Sequence, residues 1–196
     1  MALVSSRKPK PCAVCGEAFT PSFSSTQVVC SPKCAQAHAP ANAGKARKAI
    51  DQRERREIKV RKEKLKSRGE HMAEAQKAFN EYIRWRDRVA GHPCISSGAP
   101  LDWASNSVDA GHYRSVGSAP HLRFVEINCH AQCKKDNRYL SGNAVEYRVG
   151  LIARIGLAAV EALEADQSTR KYTIDDLKAI KAEYRAKVRE LKRAAA

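Results

Sequence analysis

The 196-residue chain is short of aromatic residues, acidic residues and long apolar runs. Aromatic side chains make up 6% of it, and 21 acidic residues stand against 36 Lys and Arg residues. Its most apolar stretch, residues 150–163, is interrupted by Arg154, which argues against a membrane span. The first residues contain no apolar run long enough for a signal peptide. We therefore expect a cytoplasmic protein of one or two small domains, with no membrane partner.

The basic excess gives a formal net charge of +15, and the usual counter-surface for such a protein is phosphate. DNA is therefore the expected partner. The seven Cys residues, in a reducing compartment, favour metal sites over disulfides.

Composition and periodicity divide the chain into four segments. Residues 1–41 are predicted to form a zinc-binding module, 42–90 a basic helical arm, 91–142 a strand-rich core, and 143–196 a C-terminal helical pair. Within the arm, one solvated helix is expected over 45–68 and a second over 71–89, whose apolar stripe is expected to pack against the next domain. In the core, SVDAGHYR and HLRFVEIN are expected as two strands followed by a helix over 131–140. In the C-terminal pair, one apolar stripe runs through 145–163 and predicts the first helix. Thr173 and Asp176 fit the capping box of the last helix.

Two close cysteine pairs lie near the start of the chain. Cys12-x-x-Cys15 and Cys30-x-x-x-Cys34 can each supply two corners of a tetrahedron, and thiolate is a preferred zinc ligand. Four Cys ligands would close the coordination sphere, so the sequence predicts a structural Zn²⁺ whose binding is coupled to folding.

The core carries polar residues in the order of a His-Asn-His active site. His112 ends the first expected strand and is a candidate general base, because an imidazole titrates near neutral pH. Asn128 lies on the second expected strand and would hold the loop between the strands. Asp109 and Asn137 offer oxygen ligands to a catalytic Mg²⁺ or Mn²⁺.

Several basic residues are candidate DNA contacts. Arg114 and Arg123 lie within the core and could bind phosphate. The arm contributes four further candidates: Lys59, Arg61, Lys62 and Lys64.

The motifs of the core make the resemblance specific. CISSG, DAGHY, N-x-H-x-Q-C and SGN, followed by YRVGLIARIG and a final YTIDDLKAIKAEYRAKVRELK, resemble the phage lambda NinG family, also called Rap. The resemblance covers nearly the whole chain. It implies a structure-specific endonuclease that cuts Holliday junctions and D-loops, with His112 as the catalytic His, Asn128 as the central Asn and Asn137 as the last metal ligand. If the chain is phage-encoded, it would act in the host bacterial cytoplasm.

The chain departs from this pattern in two places. Gly111 stands where many His-Asn-His enzymes have an Asp, and Asp109 lies two residues further back. Many relatives also have a second zinc site, whose matching positions here are Cys94, Ser97, Cys133 and Asp136. Ser is a poor zinc ligand, so two alternatives stay open. Either Cys94, Cys133 and Asp136 bind a second zinc, or Cys94 and Cys133 pack as a buried pair.

The sequence as a whole predicts an α+β fold with a ββα-metal (HNH) core. The expected function is metal-dependent cleavage of branched DNA during phage recombination. A homodimer and host or phage recombination proteins are candidate partners. Two alternatives are a zinc-containing nucleic-acid-binding protein without activity, and a non-specific or site-specific nicking nuclease.

Overall fold

The structure is a computed structural model that describes residues 7–195, apart from the side chains of residues 40–42. The chain separates into two compact units that divide between Leu65 and Lys66. This division falls inside the predicted arm over 42–90, whose two helices belong to different units.

The first unit contains a minimal hairpin and one long helix. Strands β1 (Lys10–Pro11) and β2 (Ala18–Phe19) pair antiparallel. Helix α1 (Pro32–Lys64) begins after Ser31, whose side chain accepts a hydrogen bond from the backbone of Cys34. The helix therefore starts well before the predicted position near residue 45. Every side chain from 43 to 64 is exposed, as expected for a segment with so few apolar residues.

The second unit is built around helix α2 (Arg68–Val89) and the antiparallel hairpin of β3 (Val108–His112) and β4 (Cys129–Cys133). Three more helices complete it: α3 (Ala144–Ile155), α4 (Leu157–Ala165) and α5 (Ile174–Ala194). Capping boxes begin α2, at Ser67 and Glu70, and α5, at Thr173 and Asp176; the second confirms the prediction.

Two apolar clusters hold this unit together. The first joins α2 and α5 to the hairpin, and its largest fully buried members include Phe79, Ile83 and Leu177. This confirms that the apolar stripe of α2 is a packing face. The second cluster joins α3 and α4 to the loop around Ile95 and to Leu122.

The predicted C-terminal helical pair was wrong. Helix α5 packs on α2, which is distant in sequence, while α3 and α4 belong to the other cluster. The stripe expected to form one helix through 145–163 is broken at Gly156. This residue has a φ of 86°, which a residue with a side chain rarely adopts.

Two local predictions in the core also need correction. HLRFVEIN was expected to be a strand, but its residues form two 3₁₀ turns, Pro120–Leu122 and Glu126–Asn128, and β4 begins only at Cys129. The helix expected over 131–140 is a single π-helical turn, Lys135–Tyr139.

None of the described helices is both long enough and apolar enough to cross a membrane.

Candidate functional site

The four N-terminal cysteines meet at one point. Their sulfur atoms all lie within 4.8 Å of one another, a spacing that could hold a metal ion. Cys15 Sγ lies 3.5 Å from Cys30 Sγ, which is 3.7 Å from Cys34 Sγ. The donor set therefore fits a tetrahedral zinc, with no position left for chemistry.

The positions of the second candidate zinc site are also brought together. Cys94, Cys133 and Asp136 place their ligand atoms within 4.8 Å of one another. The two thiols donate to Asp136 Oδ2 at 3.2 and 3.1 Å, and Asn143 Nδ2 donates to Oδ1 at 3.3 Å. These hydrogen bonds satisfy the carboxylate without a metal. Both alternatives predicted from the sequence are thus compatible with the geometry.

Helix α2 fixes the position of the β3–β4 hairpin through a buried charge network. Asp87, fully buried, accepts a hydrogen bond from the backbone N–H of Ala131 at 2.7 Å. Arg86 pairs with Asp87 at 2.7 Å and donates to the carbonyl of Cys129 at 2.9 Å. His130 lies in the same network, 3.0 Å from Arg86 through Nδ1. The first residue and the middle residue of β4 are thereby attached to one helix.

Asp109 and Asn137 are brought together across the hairpin. Asn137, in the π-helical turn after β4, donates from Nδ2 to Asp109 Oδ2 at 3.0 Å. Arg138, the next residue, also donates to this carboxylate. Burial acts against the charged form of Asp109, but the hydrogen bonds from Arg138 and Asn137 outweigh it and lower its pKa. The carboxylate is therefore ionised at neutral pH. Arg138 was not predicted, and its position beside Asn137 was the only available signal.

His112 occupies the opposite face of β3. Successive residues of a strand point to opposite faces, so His112 shares the core-facing side with Ala110. Its ring centroid lies 6.0 Å from that of Phe79, and Nδ1 lies 3.7 Å from Cys129 Sγ. Among the described residues, no contact joins His112 to Asp109 or Asn137. The structure therefore brings together the two predicted metal ligands but not the predicted base.

The backbone determines the tautomer of His112. Nε2 lies 2.9 Å from the carbonyl oxygen of Arg123. Since a carbonyl oxygen can only accept a hydrogen bond, Nε2 carries the hydrogen of the neutral ring and Nδ1 keeps its lone pair. Burial lowers the pKa of His112, because it disfavours the charged imidazolium. His112 is therefore neutral and able to accept a proton at Nδ1.

The side chain of Asn128 holds the loop between β3 and β4 in place. It is fully buried, its Oδ1 accepts from the Arg114 backbone N–H at 2.9 Å, and its Nδ2 donates to the carbonyls of Arg114 and Leu122 at 3.0 and 3.3 Å. The loop that follows His112 is thus anchored to the residue that precedes β4. Asn128 lies in a 3₁₀ turn directly before β4 and not in the predicted strand.

The predicted phosphate contacts fall into two groups. Arg114 donates to three carbonyls around the end of α4, those of Leu163, Glu164 and Asp166, so its guanidinium is committed to a helix terminus. Arg123 is half-buried and donates to Gln76. In contrast, all four basic residues selected on the arm are exposed: Lys59, Arg61, Lys62 and Lys64.

Nearly the whole chain is similar to one family of bacteriophage proteins. The family model described as "Bacteriophage Lambda NinG protein" matches residues 4–194. Protein ninG of Salmonella phage P22 is 44% identical over 189 residues, which cover 91% of this chain and 90% of that protein. The ninG proteins of Escherichia phage lambda and Escherichia phage 933W are 43% and 40% identical, with at least 90% of each sequence covered. No solved structure is significantly similar to the chain.

Proposed function

Since the chain belongs to the bacteriophage lambda NinG family, we propose that it is a divalent-metal-dependent DNA endonuclease of the His-Asn-His type. Its substrates would be branched recombination intermediates, namely Holliday junctions and D-loops. The observation that carries the proposal is the pairing of Asp109 with Asn137, 28 residues apart in sequence, at 3.0 Å across an antiparallel hairpin that ends in His112.

Asp109 and Asn137 offer oxygen ligands to a hard divalent cation, which would displace the bonds that Asn137 Nδ2 and Arg138 make to the carboxylate. A carboxylate and an amide oxygen are the ligands that Mg²⁺ and Mn²⁺ prefer. A cation bound there would neutralise charge on the scissile phosphate and the leaving oxygen. This side of the hairpin would therefore hold the phosphate group.

His112 would accept the proton of the attacking water at Nδ1. The Arg123 carbonyl holds the Nε2 hydrogen, so this bond supports the imidazolium that forms. Burial raises the pKa of the neighbouring Cys129 thiol, which stays protonated and does not compete for the proton. For this role, Cys129 must move aside and admit water to Nδ1 when DNA is bound, while Nε2 keeps its bond to Arg123.

DNA binding would rely mainly on the exposed Lys and Arg residues of α1. Its Lys and Arg residues would contact phosphates and not bases, because none of them is fixed for reading a base edge. A four-way junction has approximate two-fold symmetry and needs two nicks, which favours a homodimer. The dimer rests on this symmetry argument alone, because the apolar face of α5 is already packed on α2. Host or phage recombination proteins are further candidate partners.

One observation favours the alternative of a DNA-binding protein without nuclease activity. His112 packs against Phe79 and Cys129, which is the environment of a structural core His. In that case the basic charge and the zinc module would serve binding alone. A nuclease that nicks linear DNA is the third candidate.

One experiment separates the three. Labelled four-way junction and linear duplex of the same sequence are incubated with the protein and Mg²⁺, beside His112→Ala and the control His92→Ala. We expect the junction to be cut faster than the duplex. His112→Ala should be slower by about a hundredfold to ten-thousandfold, with unchanged DNA affinity.

The other outcomes identify the alternatives. Equal cutting of both DNAs favours a nicking nuclease. Binding without cleavage by the wild-type protein, at any concentration of Mg²⁺ or Mn²⁺, refutes the endonuclease. Equal rates for wild type and His112→Ala refute the role of His112.

A further inference from the structure

A buried carbonyl oxygen beside Asp109 and Asn137 has no hydrogen-bond partner. In the described part of the chain, only two buried side-chain polar atoms lack one: His71 Nδ1 and Gln132 Oε1. Gln132 is fully buried in β4. A buried polar atom without a partner is costly, so such an atom calls for an explanation such as a bound ion or water.

The orientation of the Gln132 amide is fixed. Its Nε2 donates to Ser96 Oγ and to the carbonyl oxygen of Gly142, both at 2.7 Å. Because the Gly142 oxygen can only accept, exchanging the amide nitrogen and oxygen would place two acceptors together. Oε1 must therefore point away from Gly142, toward β3.

Gln132 Oε1 and Asn137 Oδ1 converge beside Gly111. A Cβ atom on Gly111 would lie 2.1 Å from Gln132 Oε1 and 3.2 Å from Asn137 Oδ1. Only glycine at this position leaves room for the Gln132 oxygen. Asp109 is the residue of β3 directly opposite Gln132, and its carboxylate contacts Asn137.

We propose that Gln132 Oε1 is a third oxygen ligand of the divalent cation held by Asp109 and Asn137. The proposal rests on the cation site of the proposed function and adds a ligand to it. Two amide oxygens facing one space repel each other unless a positive charge or a donor lies between them. A carboxylate beside them supplies the negative charge that attracts a cation.

An ordered water is the alternative occupant, since it could donate one hydrogen to each amide oxygen. The two occupants differ in what they predict for metal affinity. A ligand to the cation contributes to its binding, whereas a water between two amides does not. Metal binding without DNA therefore distinguishes them.

The test measures Mn²⁺ binding to the full-length, zinc-loaded protein by the EPR signal of free Mn²⁺. Asp109→Ala identifies which bound Mn²⁺ belongs to this site. We expect Gln132→Ala to weaken that binding about tenfold or more, as is usual for groups that hold a metal. Ser96→Ala is the matched control. It removes an acceptor of the same amide but leaves Oε1 in place, so its affinity should stay close to wild type.

A double variant tests the position of the oxygen. Gly111→Asp in the presence of Gln132→Ala places a carboxylate in the space that Oε1 vacates, so Mn²⁺ affinity should recover. Gly111→Asp alone would collide with Gln132 and should destabilise the protein. The double variant and Gln132→Met, which keeps the side-chain length but has no oxygen and should bind Mn²⁺ about tenfold more weakly than wild type, also serve if Gln132→Ala does not fold.

Two results would overturn the proposal: no Mn²⁺ bound by wild type at a site sensitive to Asp109, or equal affinity of wild type and folded Gln132→Ala. The latter would identify the occupant as water. The proposal can also be separated from the endonuclease. Mn²⁺ binding that depends on Gln132, in a protein that never cuts DNA, supports the ligand and refutes the nuclease.

Discussion

The guanidinium of Arg138 holds the carboxylate of Asp109 through two hydrogen bonds, Nε to Oδ2 at 2.6 Å and Nη2 to Oδ1 at 3.1 Å. The Arg138 side chain is 59% exposed, whereas that of Asp109 is 14% exposed. An exposed ion pair contributes little to stability. The ion pair has a larger effect on cation binding, because the Arg138 guanidinium occupies the carboxylate oxygen atoms that a cation would need.

Replacing Arg138 should therefore strengthen cation binding. In Arg138→Gln, loss of a competing positive charge should raise Mn²⁺ affinity about threefold to tenfold, measured by EPR without DNA. Arg148→Gln, which removes another surface Arg paired with an acidic residue, is the control and should have little effect. Weaker Mn²⁺ binding by Arg138→Gln would mean that Arg138 organises the site and does not compete with the cation.

The pH dependence of cleavage should reflect the burial of His112. Burial lowers the pKa of His112 below its ordinary value of about 6.5. A general base acts in its neutral form, so the rate should rise with pH through this lowered pKa and level off above it. The acidic inflection of kcat/KM for junction cleavage should thus lie below pH 6.5.

Stability must be followed in parallel, since the same shift affects folding. The unfolded chain takes up a proton on His112 at a higher pH than the folded chain does, so stability from this group is lost as pH falls below about 6.5. Circular dichroism at each pH separates unfolding from loss of the base. An inflection above pH 6.5 in folded protein would contradict the assignment.

Zinc content should distinguish the two cysteine clusters. We expect about one tightly bound zinc per chain, because one cluster has four thiols and the other is already satisfied by hydrogen bonds to Asp136. Cys30→Ser should release this zinc and unfold residues 7–31, whereas Cys133→Ser should leave the zinc content unchanged. Elemental analysis giving two zinc ions per chain, reduced to one in Cys133→Ser, would instead show that the second cluster is a zinc site.

The sequence predicted those features that depend on local spacing. The cysteine pairs, the capping box at Thr173 and the apolar face of α2 each follow from a few neighbouring residues, and the structure has all three arranged as expected. The pairing of α5 with α2 was not predictable in the same way. Both helices have an apolar face, but the sequence of each helix does not indicate which other helix it packs on.

The candidate site was predicted in its residue types but not in its geometry. Asp109 and Asn137 were expected to meet and do. His112 lies three residues after Asp109, so an unbroken strand places the two side chains on opposite faces. Whether the strand runs unbroken through both residues was not fixed by the sequence pattern. Gln132 was visible only as the Gln of the N-x-H-x-Q-C motif and was given no role, because a Gln in a short strand usually faces solvent. Its importance appears only when its neighbours, Gly111 and Ser96, are known.

The last prediction concerns the exposed Lys and Arg residues of α1, which should bind phosphates without regard to DNA sequence. Neutralising Lys59, Arg61, Lys62 and Lys64 together should weaken binding to junction and duplex alike. Fewer counterions would be released, so the slope of log affinity against log salt should become shallower by up to about three to four. The measurement is fluorescence anisotropy at several salt concentrations.

A matched control removes the same number of exposed charges from the second unit: Lys171, Arg185, Arg189 and Arg193. If both quadruple variants change the slope equally, the effect comes from net charge alone. If the α1 variant leaves the slope unchanged while its helix content is preserved, α1 does not contact DNA. Expected instead is a large change for the α1 variant and a smaller one for the control, because α1 has a larger excess of Lys and Arg over acidic residues than α5 has.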